Sequence, residues 1–338
     1  MKAFQIAQFG LENLRQVNLP KPAPGAGEVL IRVHATSLNY RDLMIVSGQY
    51  DPKLHFPRIP LSDGAGEVAA IGGGVTRFKV EDRVVGLFLQ NWQDGAPSSE
   101  KSRGALGGDL DGMLAEYVVL PERGVVHFPA HLSYEEASTL PCAALTAWNA
   151  LHEAAALKSG DTVVIQGTGG VSIFALQFAK LVGARVLGTS SSDEKLAQAK
   201  ALGLDDGLNY KQNPDWASWV REQTGGVGAD VVIEVGGSGT LSESMKASRV
   251  GGTIAQIGVL SGADAKFSVA PILMRQIRIC GIYVGSRAMM EQMHRAIDTQ
   301  KMTPVVGKVF PFDEAPTAYR YLEGGKHFGK IVITPSVK

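Results

Sequence analysis

The chain has 338 residues, 45% of them hydrophobic, and its 33 basic and 33 acidic residues give a formal net charge of zero. A single hydrophobic core rarely grows to this size, so the length predicts two domains. The balanced charge argues against a nucleic-acid or anionic-membrane partner. The start has no secretory-leader pattern, no apolar run is long enough to span a bilayer, and Cys142 and Cys280 are the only cysteines. We therefore expect a soluble, cytoplasmic protein.

The first third of the chain has the pattern of an irregular antiparallel sheet or a small barrel. Its predicted strands are short, rich in β-branched residues and separated by Gly/Pro turns. They are KAFQIAQ, EVLIRVHATSL, GEVAAIG, DRVVGLF and MLAEYVVL. Residues 91–112 are polar and rich in Gly and Ser, which predicts a long mobile loop.

A polar stretch, SLNYRDL at residues 37–43, interrupts this strand-rich region. Asn39, Tyr40, Arg41 and Asp42 lie between two leucines. Two interpretations are open. The stretch is either a solvated turn with a buried tyrosine, or a loop that holds polar groups over a reaction centre.

Strands and helices alternate from about Leu132 onward. HLSYEEASTLPC begins a predicted helix, for which Ser133 and Glu136 form a capping box. DTVVIQG, ARVLGT, GLNY, ADVVIEVGG, GTIAQIGV and RICGIYVG are strands with helical segments between them. This alternation predicts a parallel sheet with helices on both faces, an α/β fold. The helix MMEQMHRAID and the strand GKIVIT remain, and we expect them to return to the first domain.

The segment VVIQGTGGVS, residues 163–172, is the strongest local motif. A β-branched strand leads into Gly167, Thr168, Gly169, Gly170 and Val171, and a helix follows. Glycines let the backbone approach a pyrophosphate, and free N–H groups at the helix N-terminus bind its charge. Ser172 occupies the third glycine position of the fingerprint. A plain glycine-rich turn is the alternative, but the context favours a dinucleotide site.

The end of the next strand favours NADP over NAD. An NAD site places an acidic residue there, about 20 residues after the glycines, for the ribose 2′-hydroxyl. This chain has Gly188 to Ser192 there and no carboxylate before Asp193. Ser191 and Lys195 fit a 2′-phosphate. Ser191 with Glu194 also fits a helix capping box, and both roles are compatible.

With these motifs the chain resembles the medium-chain dehydrogenase/reductase superfamily over essentially its whole length. The likeness is to the zinc-independent branch of quinone oxidoreductases, enoyl reductases and zinc-free alcohol dehydrogenase-like proteins. It rests on the order of SLNYRDL, SGQY, GAGEV, VEDRVVG, LPCAALTAW, GTGGVS and HFGKIVI. It implies a GroES-like substrate domain at 1–128, completed by 286–338, around a Rossmann domain at 129–285, with the active site in the cleft.

The resemblance also bears on metal binding. Zinc-dependent relatives have Cys where this chain has Asn39, His-Glu where it has Ser62 and Asp63, and Cys or Asp near Cys142. A catalytic zinc takes three protein ligands, and a single remaining cysteine does not supply them. We therefore predict that no zinc is bound.

The resemblance favours the site over the turn as the interpretation of SLNYRDL. It implies that Asn39 and Tyr40 point into the cleft, and it aligns Tyr50 with a tyrosine that enoyl reductases use as a proton donor, with Tyr40 or water as the alternatives. We also expect Asp42 to orient the loop by bonding backbone N–H groups. Without a metal, the hydride acceptor needs hydrogen-bond donors where negative charge develops. Further cofactor contacts are implied for Tyr210, Gly258, Val259, Tyr283, Val284 and Lys330.

The predicted function is NADPH-dependent, zinc-independent reduction of quinones or α,β-unsaturated carbonyls, with a small-molecule carbonyl, enone or quinone as substrate. One alternative is an NAD(P)-dependent alcohol dehydrogenase, and another is a non-catalytic NADPH-binding protein. Many members of the family dimerise through the edge strand of the Rossmann sheet, here RICGIYV, which makes a homodimer the expected assembly.

Lys195→Ala tests the predicted 2′-phosphate site. Loss of a charge-assisted hydrogen bond costs about 1.5–3 kcal/mol, so NADPH should bind about ten- to a hundredfold more weakly. NADH lacks the 2′-phosphate, and its affinity should stay nearly unchanged. Titration of the variant with both dinucleotides checks this. An equal loss for both would remove the 2′-phosphate role.

Overall fold

The computed structural model describes residues 1–264 and 266–335, which form two compact units. The first unit comprises residues 1–145 and 284–338, and the second comprises residues 146–283. No helix within the described ranges is long and apolar enough to cross a membrane.

The first unit is built mainly from β-strands. Its strands are β1 (Lys2–Ile6), β2 (Leu14–Asn18), β3 (Glu28–Leu38), β4 (Asp63–Ile71), β5 (Arg83–Gly86), β6 (Tyr117–Pro121), β7 (Val125–His127), β14 (Val306–Pro311) and β15 (Lys330–Thr334). Its helices are α1 (Tyr40–Val46), α2 (Tyr134–Ser138), α9 (Arg287–Gln300) and α10 (Ala315–Glu323), with short 3₁₀ turns at Leu11–Asn13, Glu122–Gly124 and Phe312–Glu314 and a π-helical turn at Leu140–Ala144.

Strand β3 organises the sheet of the first unit. The strand order is β14-β15-β3-β4-β5-β7, and β6 also pairs with β3. β15 runs antiparallel to β3, with Ile331 opposite Leu38 and Ile333 opposite Thr36. The C-terminal strand therefore joins the N-terminal sheet beside the segment that follows β3. β3 carries Val29, Ile31, Val33 and Leu38 into the core of this unit.

Helix α2 shows why the first unit extends beyond residue 129, where the sequence placed the domain boundary. The Tyr134 ring stacks on His34 of β3, with ring centroids 4.2 Å apart. The Ser37 hydroxyl lies 3.0 Å from the Ser138 carbonyl oxygen. The predicted capping box of Ser133 and Glu136 is confirmed. Because α2 is bonded to β3, the helix belongs with the first sheet.

The second unit is the predicted parallel α/β sheet. Its strands are β8 (Thr162–Gln166), β9 (Arg185–Ser190), β10 (Asp206–Asn209), β11 (Ala229–Glu234), β12 (Ser248–Gln256) and β13 (Arg278–Gly281). α3 (Leu145–Trp148) and a π-helical turn (Asn149–Ala154) lead into it, and its other helices are α4 (Gly170–Val182), α5 (Asp193–Ala201), α6 (Trp216–Gln223), α7 (Leu241–Ala247) and α8 (Ala270–Met274).

The strand order in this sheet is β10-β9-β8-β11-β12-β13, and all of its pairings are parallel. This is the order of a doubly wound Rossmann sheet, so the predicted fold class is confirmed. The order reverses between β8 and β11, and dinucleotides bind at such a switch point, outside the carboxyl ends of the strands.

Two segments differ from the sequence-based expectation. Residues 40–46, expected as a turn or loop, form helix α1, which contains no Gly or Pro and buries Ile45 and Val46. Residues 91–112 contain no helix or strand, as predicted, but Ala105 and Leu106 are buried. Leu106 donates its N–H to Phe88 O at 3.1 Å, so the second half of this segment packs onto the first unit.

Candidate functional site

The predicted substrate-side residues of the first unit lie where β3 ends and α1 begins. Asn39 is the N-cap of α1 and has extended backbone geometry. Its N–H donates to Asp42 Oδ2 at 2.7 Å, so Asp42 does bond a backbone N–H, at the start of a helix. Asn39 is half-buried and Asp42 is fully buried.

Asp42 is in an unusual electrostatic setting. Burial raises the pKa of this carboxyl from 3.8 to about 6, against the opposing effect of the neighbouring Arg41 guanidinium. Asp63 raises the pKa further, and the Asn39 N–H and Lys330 lower it. Arg41 Nη1 lies 3.6 Å from Asp42 Oδ1. A carboxyl that titrates near neutrality beside a site is a functional candidate.

A buried polar cluster lies beside Asn39. Its centre is Lys330, at the start of β15, only 2% exposed. Its ammonium donates to Asn39 Oδ1 at 2.6 Å and to Leu38 O at 2.7 Å, and lies 3.5 Å from Asp63 Oδ2. We call Asn39, Asp63 and Lys330, with Ser37 and Ser62, the polar cluster. The cofactor contact that the resemblance implies for Lys330, with the cofactor phosphates, stays a prediction.

Two serines complete the polar cluster around Asp63. Ser62 donates its hydroxyl to Asp63 Oδ1 at 2.9 Å, and the Ser37 hydroxyl lies 3.1 Å from Asp63 Oδ2. Both serines and Asp63 are fully buried. The sequence analysis missed the pairing of Asp63 with Lys330, because the two residues are remote in sequence and meet only through the pairing of β15 with β3.

The two candidate proton donors are more accessible than the polar cluster. Tyr40 is 41% exposed and Tyr50 is 38% exposed. The Arg41 guanidinium lies over the rings of Tyr50 and Phe88, at 4.9 Å and 4.6 Å from their centroids. A cation over an aromatic face is attractive, so Arg41 helps to position the Tyr50 ring.

In the second unit, the glycine turn joins β8 to α4 as predicted. Gly167 has a φ of +70°, which a residue with a Cβ rarely adopts. Gly169 is the N-cap of α4, and no side chain caps this helix end. The buried Ser172 donates its hydroxyl to Gln166 O at 2.7 Å. The serine at the third glycine position therefore fits the close approach of helix and strand.

Glu234, at the end of β11, is a buried residue that the sequence analysis missed. Its Oε1 accepts from the N–H groups of Gly236 and Gly237 at 2.8 Å and 2.9 Å. Its Oε2 accepts from Gln166 Nε2 at 2.8 Å. The carboxylate thus ties the end of β11 to the end of β8, the two strands at the switch point. An acidic residue that ends an apolar strand, VVIE, was the signal in the sequence.

The predicted cofactor residues Ser191 and Tyr210 directly follow β9 and β10, and Lys195 lies in the first turn of α5. Tyr210 donates its N–H to Ser190 O at 3.0 Å, and Lys195 donates its N–H to Ser192 Oγ at 3.3 Å. The N-cap of α5 is therefore Ser192, and the capping box proposed for Ser191 is wrong. A cap one residue later leaves the Ser191 side chain outside the helix.

The first acidic residue after β9 already has partners. Asp193 accepts from Asn209 Nδ2 at 3.0 Å and from Gln212 Nε2 at 2.9 Å. Burial lowers the pKa of Lys195, while Glu194 raises it. The Asp193 carboxylate is thus directed to the residues that end and follow β10.

The remaining predicted cofactor residues lie after β12 and β13. A Cβ on Gly258 would lie 2.3 Å from Val235 O, so only glycine fits this close approach. Val259 is 37% exposed and Tyr283 is 39% exposed. Val284 has a φ of +53°, a genuine outlier for a β-branched residue. Such strain clusters at functional sites.

Two family models match the chain. "Alcohol dehydrogenase GroES-like domain" matches residues 25–130 and "Zinc-binding dehydrogenase" matches residues 170–299. A zinc-type alcohol dehydrogenase-like protein of Schizosaccharomyces pombe is 46% identical over 316 residues, which cover 91% of this chain and 90% of that protein.

Solved structures agree with this similarity. A putative alcohol dehydrogenase from Sinorhizobium meliloti 1021 is 42% identical with a TM-score of 0.94, covering 98% of each chain. A structure titled NAD-dependent alcohol dehydrogenase is 37% identical with a TM-score of 0.91, covering 99% of each chain.

More distant similar proteins include an acryloyl-coenzyme A reductase and a protein solved with NADPH. An acryloyl-coenzyme A reductase of Metallosphaera sedula is 31% identical, covering 95% of this chain and 96% of that protein. A mycobacterial protein solved with NADPH is 29% identical with a TM-score of 0.84, covering 99% of this chain and 100% of that one. Together these relatives indicate an oxidoreductase and leave its substrate class open.

The zinc that one family name implies does not fit the polar cluster. The Lys330 ammonium donates to Asn39 Oδ1 and is paired with the Asp63 carboxylate. A divalent cation bound to these oxygens would repel the ammonium. Burial, and then Asp63, raise the pKa of the Cys142 thiol, which disfavours the thiolate that binds zinc. Elsewhere among residues 1–264 and 266–335, no group of three or more His, Cys, Asp or Glu could hold a metal ion.

Asp42→Asn tests the electrostatic setting of α1. Because the folded pKa of Asp42 is raised from 3.8 to about 6, the folded protein binds this proton more tightly than the unfolded chain. The associated stability is present below about pH 4 and is lost as pH rises through about 6, a loss on the order of 3 kcal/mol. The asparagine variant lacks this loss.

Urea denaturation of both proteins at about pH 4 and pH 7 measures the effect. The native protein should lose about 3 kcal/mol of unfolding free energy between pH 4 and pH 7, and the variant should not show this loss. Only this pH-dependent part is diagnostic, and it already includes the ion pair with Arg41, which forms only when Asp42 is ionised. Parallel pH profiles would show that Asp42 is ionised throughout.

Proposed function

Since this chain belongs to the medium-chain dehydrogenase/reductase superfamily, we propose that it is an NADPH-dependent, zinc-independent reductase of quinones or α,β-unsaturated carbonyls. The observation that carries the proposal is the Lys330 ammonium, 2.6 Å from Asn39 Oδ1 and 3.5 Å from Asp63 Oδ2. With a lysine at these oxygens, the acceptor is activated by hydrogen-bond donors instead of a metal.

The residues of the second unit fit a dinucleotide. The glycine turn binds the pyrophosphate through backbone N–H groups; its residues are Gly167, Thr168, Gly169, Gly170 and Val171. The turn lies at the switch point of the sheet, and no side chain caps α4, so the N–H groups at the start of this helix are available. Bound NADPH supplies the hydride. The solved NADPH complex of a similar mycobacterial protein gives a precedent.

The choice of NADPH rests on the ends of β9 and β10. Ser191, Lys195 and Tyr210 hold the 2′-phosphate, and Asp193 is directed to Asn209 and Gln212. Gly258, Val259, Tyr283 and Val284 provide the backbone along the nicotinamide.

Residues of the first unit activate the acceptor. The Asn39 amide donates to the substrate carbonyl oxygen, where negative charge develops as the hydride arrives. Tyr50 donates the proton that completes reduction, with Tyr40 or water as the alternatives. Asp42 acts on Asn39 through the backbone N–H and holds the start of α1 in place.

Two alternatives remain. An NAD(P)-dependent alcohol dehydrogenase is favoured by the names of several similar proteins, including one titled NAD-dependent. A non-catalytic NADPH-binding protein would keep the glycine turn and lack turnover. The chemistry of the polar cluster favours the reductase over the alcohol dehydrogenase, and turnover distinguishes the reductase from the non-catalytic protein.

We also propose a cytoplasmic homodimer that contacts neither nucleic acid nor membrane. β13 is an edge strand of its sheet, and unpaired edges invite pairing with another chain. The segment before it exposes apolar side chains, with Val269 at 69%, Leu273 at 80% and Met274 at 78% exposure.

NADPH oxidation by the purified, EDTA-treated protein tests the function. We expect turnover with phenanthrenequinone or trans-2-hexenal, with NADPH preferred over NADH, followed by the loss of nicotinamide absorbance. The faster acceptor assigns the substrate class. EDTA treatment should not reduce the rate.

Two results would replace the proposal with an alternative. Inactivity after EDTA, with alcohol oxidation restored by added zinc, would establish the alcohol dehydrogenase. Tight NADPH binding without turnover of either acceptor would establish the non-catalytic protein.

Tyr50→Phe tests the proton donor, with Tyr40→Phe as the matched control. Each change removes one hydroxyl and keeps the ring, so the contact of Tyr50 with Arg41 remains. General acid catalysis contributes about 10²–10⁴ in rate, so Tyr50→Phe should lower kcat by at least about a hundredfold and Tyr40→Phe should leave it nearly unchanged. The opposite pattern would assign Tyr40, and two active variants would assign water.

A further inference from the structure

The Lys330 ammonium is buried, and each of its three protons has an acceptor nearby. Lys330 is 2% exposed and Asp63 is 0% exposed. An ammonium has three donors and no acceptor, and here it meets three acceptors, Asn39 Oδ1, Leu38 O and Asp63 Oδ2. Burial of a charge is costly unless it is paired and hydrogen-bonded, which this arrangement provides.

The ammonium also determines which way the Asn39 amide faces. Because an ammonium only donates, the Asn39 atom 2.6 Å from Nζ must be the carbonyl oxygen. The amide nitrogen is then on the opposite side, where Ser62 Oγ lies 3.5 Å away. Ser62 directs its own proton to Asp63 Oδ1, so it presents a lone pair to Asn39. Lys330 therefore fixes the position of the amide oxygen, and Asp63, acting through Ser62, fixes that of the amide nitrogen.

An asparagine without such partners can present either its oxygen or its nitrogen by a rotation of the side-chain amide. Only the nitrogen edge can donate to an oxygen that gains negative charge. The oxygen edge would repel that charge. A fixed amide thus contributes to catalysis even though the lysine that fixes it does not touch the substrate.

We propose that Lys330 is a positioning residue for hydride transfer: it holds the Asn39 amide so that one Nδ2 proton faces Ser62 and the other donates to the acceptor, and Asp63 holds Lys330. This inference rests on the proposed function and specifies an acceptor with a carbonyl oxygen. The hydride adds to the acceptor carbon or ring, the electron pair moves to the oxygen, Asn39 Nδ2–H stabilises the oxyanion, and a proton from Tyr50 completes the reduction. A phosphate contact for Lys330 would instead require its ammonium to leave Asp63.

The test is a double-mutant cycle on kcat with Lys330→Met and Asn39→Ala. Methionine keeps the length of the chain and removes the charge. In the native background, Lys330→Met should lower kcat by about a hundredfold, the effect of losing one oxyanion donor. In the Asn39→Ala background the same change should lower it by less than about threefold, because residues that act as a unit are not additive.

The dissociation constant of NADPH distinguishes positioning from phosphate binding. Fluorescence titration of Lys330→Met should give a value within about twofold of the native one, whereas loss of a charge-assisted contact to phosphate would weaken binding about tenfold or more. Additive losses of kcat, or weaker NADPH binding in both backgrounds, would overturn the proposal.

Asn39→Asp is a sharper probe of the amide itself. An ionised carboxylate at this position still accepts from Lys330, but it has no proton to donate to the acceptor or to Ser62. We expect a folded protein with kcat reduced by about a hundredfold. Native activity in this variant would show that Asn39 donates nothing to the acceptor.

Lys330→Met leaves Asp63 buried without its cation, which can prevent folding. Asp63→Asn combined with Lys330→Met removes both charges and should fold. Its kcat should stay about a hundredfold low, since nothing then fixes the Asn39 amide. A native kcat in this charge-free variant would overturn the proposal.

A measurement without turnover separates this inference from the proposed function. The urea midpoints of Asn39→Ala, Lys330→Met and the double variant should be non-additive, because the two side chains are in contact. Additive midpoints would refute the amide–ammonium contact whatever the activity. If the midpoints are coupled but the native protein reduces neither acceptor, the proposed function fails and the role of Lys330 in hydride transfer fails with it.

Discussion

A lysine buried away from water needs an acceptor for each of its ammonium protons, and this requirement shapes the substrate side of the first unit. Lys330 meets it with a backbone carbonyl at the end of β3, the Asn39 amide and the Asp63 carboxylate. The pairing of β15 with β3 brings these groups together. The register of two strands therefore determines the direction in which one amide at the start of α1 faces.

The second unit also buries a carboxyl group, that of Glu234, whose oxygens both accept hydrogen bonds. Glu234 accepts from backbone N–H groups of the loop after β11 and from Gln166 at the end of β8. At the switch point of a Rossmann sheet, the connections after two neighbouring strands run in opposite directions. Glu234 joins the ends of these two strands, β8 and β11. The buried Glu234 side chain thus links the end of β8, just before the glycine turn at Gly167, to the loop after β11.

Local rules explain what the sequence could predict. The alternation of strands and helices, the capping box at Ser133 and the glycine turn each depend on residues close in the chain, and all three appear in the structure. Helix α1 was not predicted because its polar first turn resembles a loop. The polar cluster was not predicted because Leu38 and Lys330 are 292 residues apart. Glu234 was visible as a carboxylate that ends an apolar strand, but its partners lie on other segments.

The energetics of buried ion pairs indicate what the polar cluster is for. Replacing such a pair with apolar residues is often neutral or stabilising, because desolvation offsets the Coulomb attraction. Stability alone is therefore a weak reason to bury both Asp63 and Lys330. What an apolar pair cannot provide is direction: an ammonium accepts no hydrogen bond and so distinguishes the oxygen of an amide from its nitrogen. In this chain that property acts on Asn39, and in the proposed reaction the direction of this single donor decides whether a developing oxyanion is stabilised or repelled.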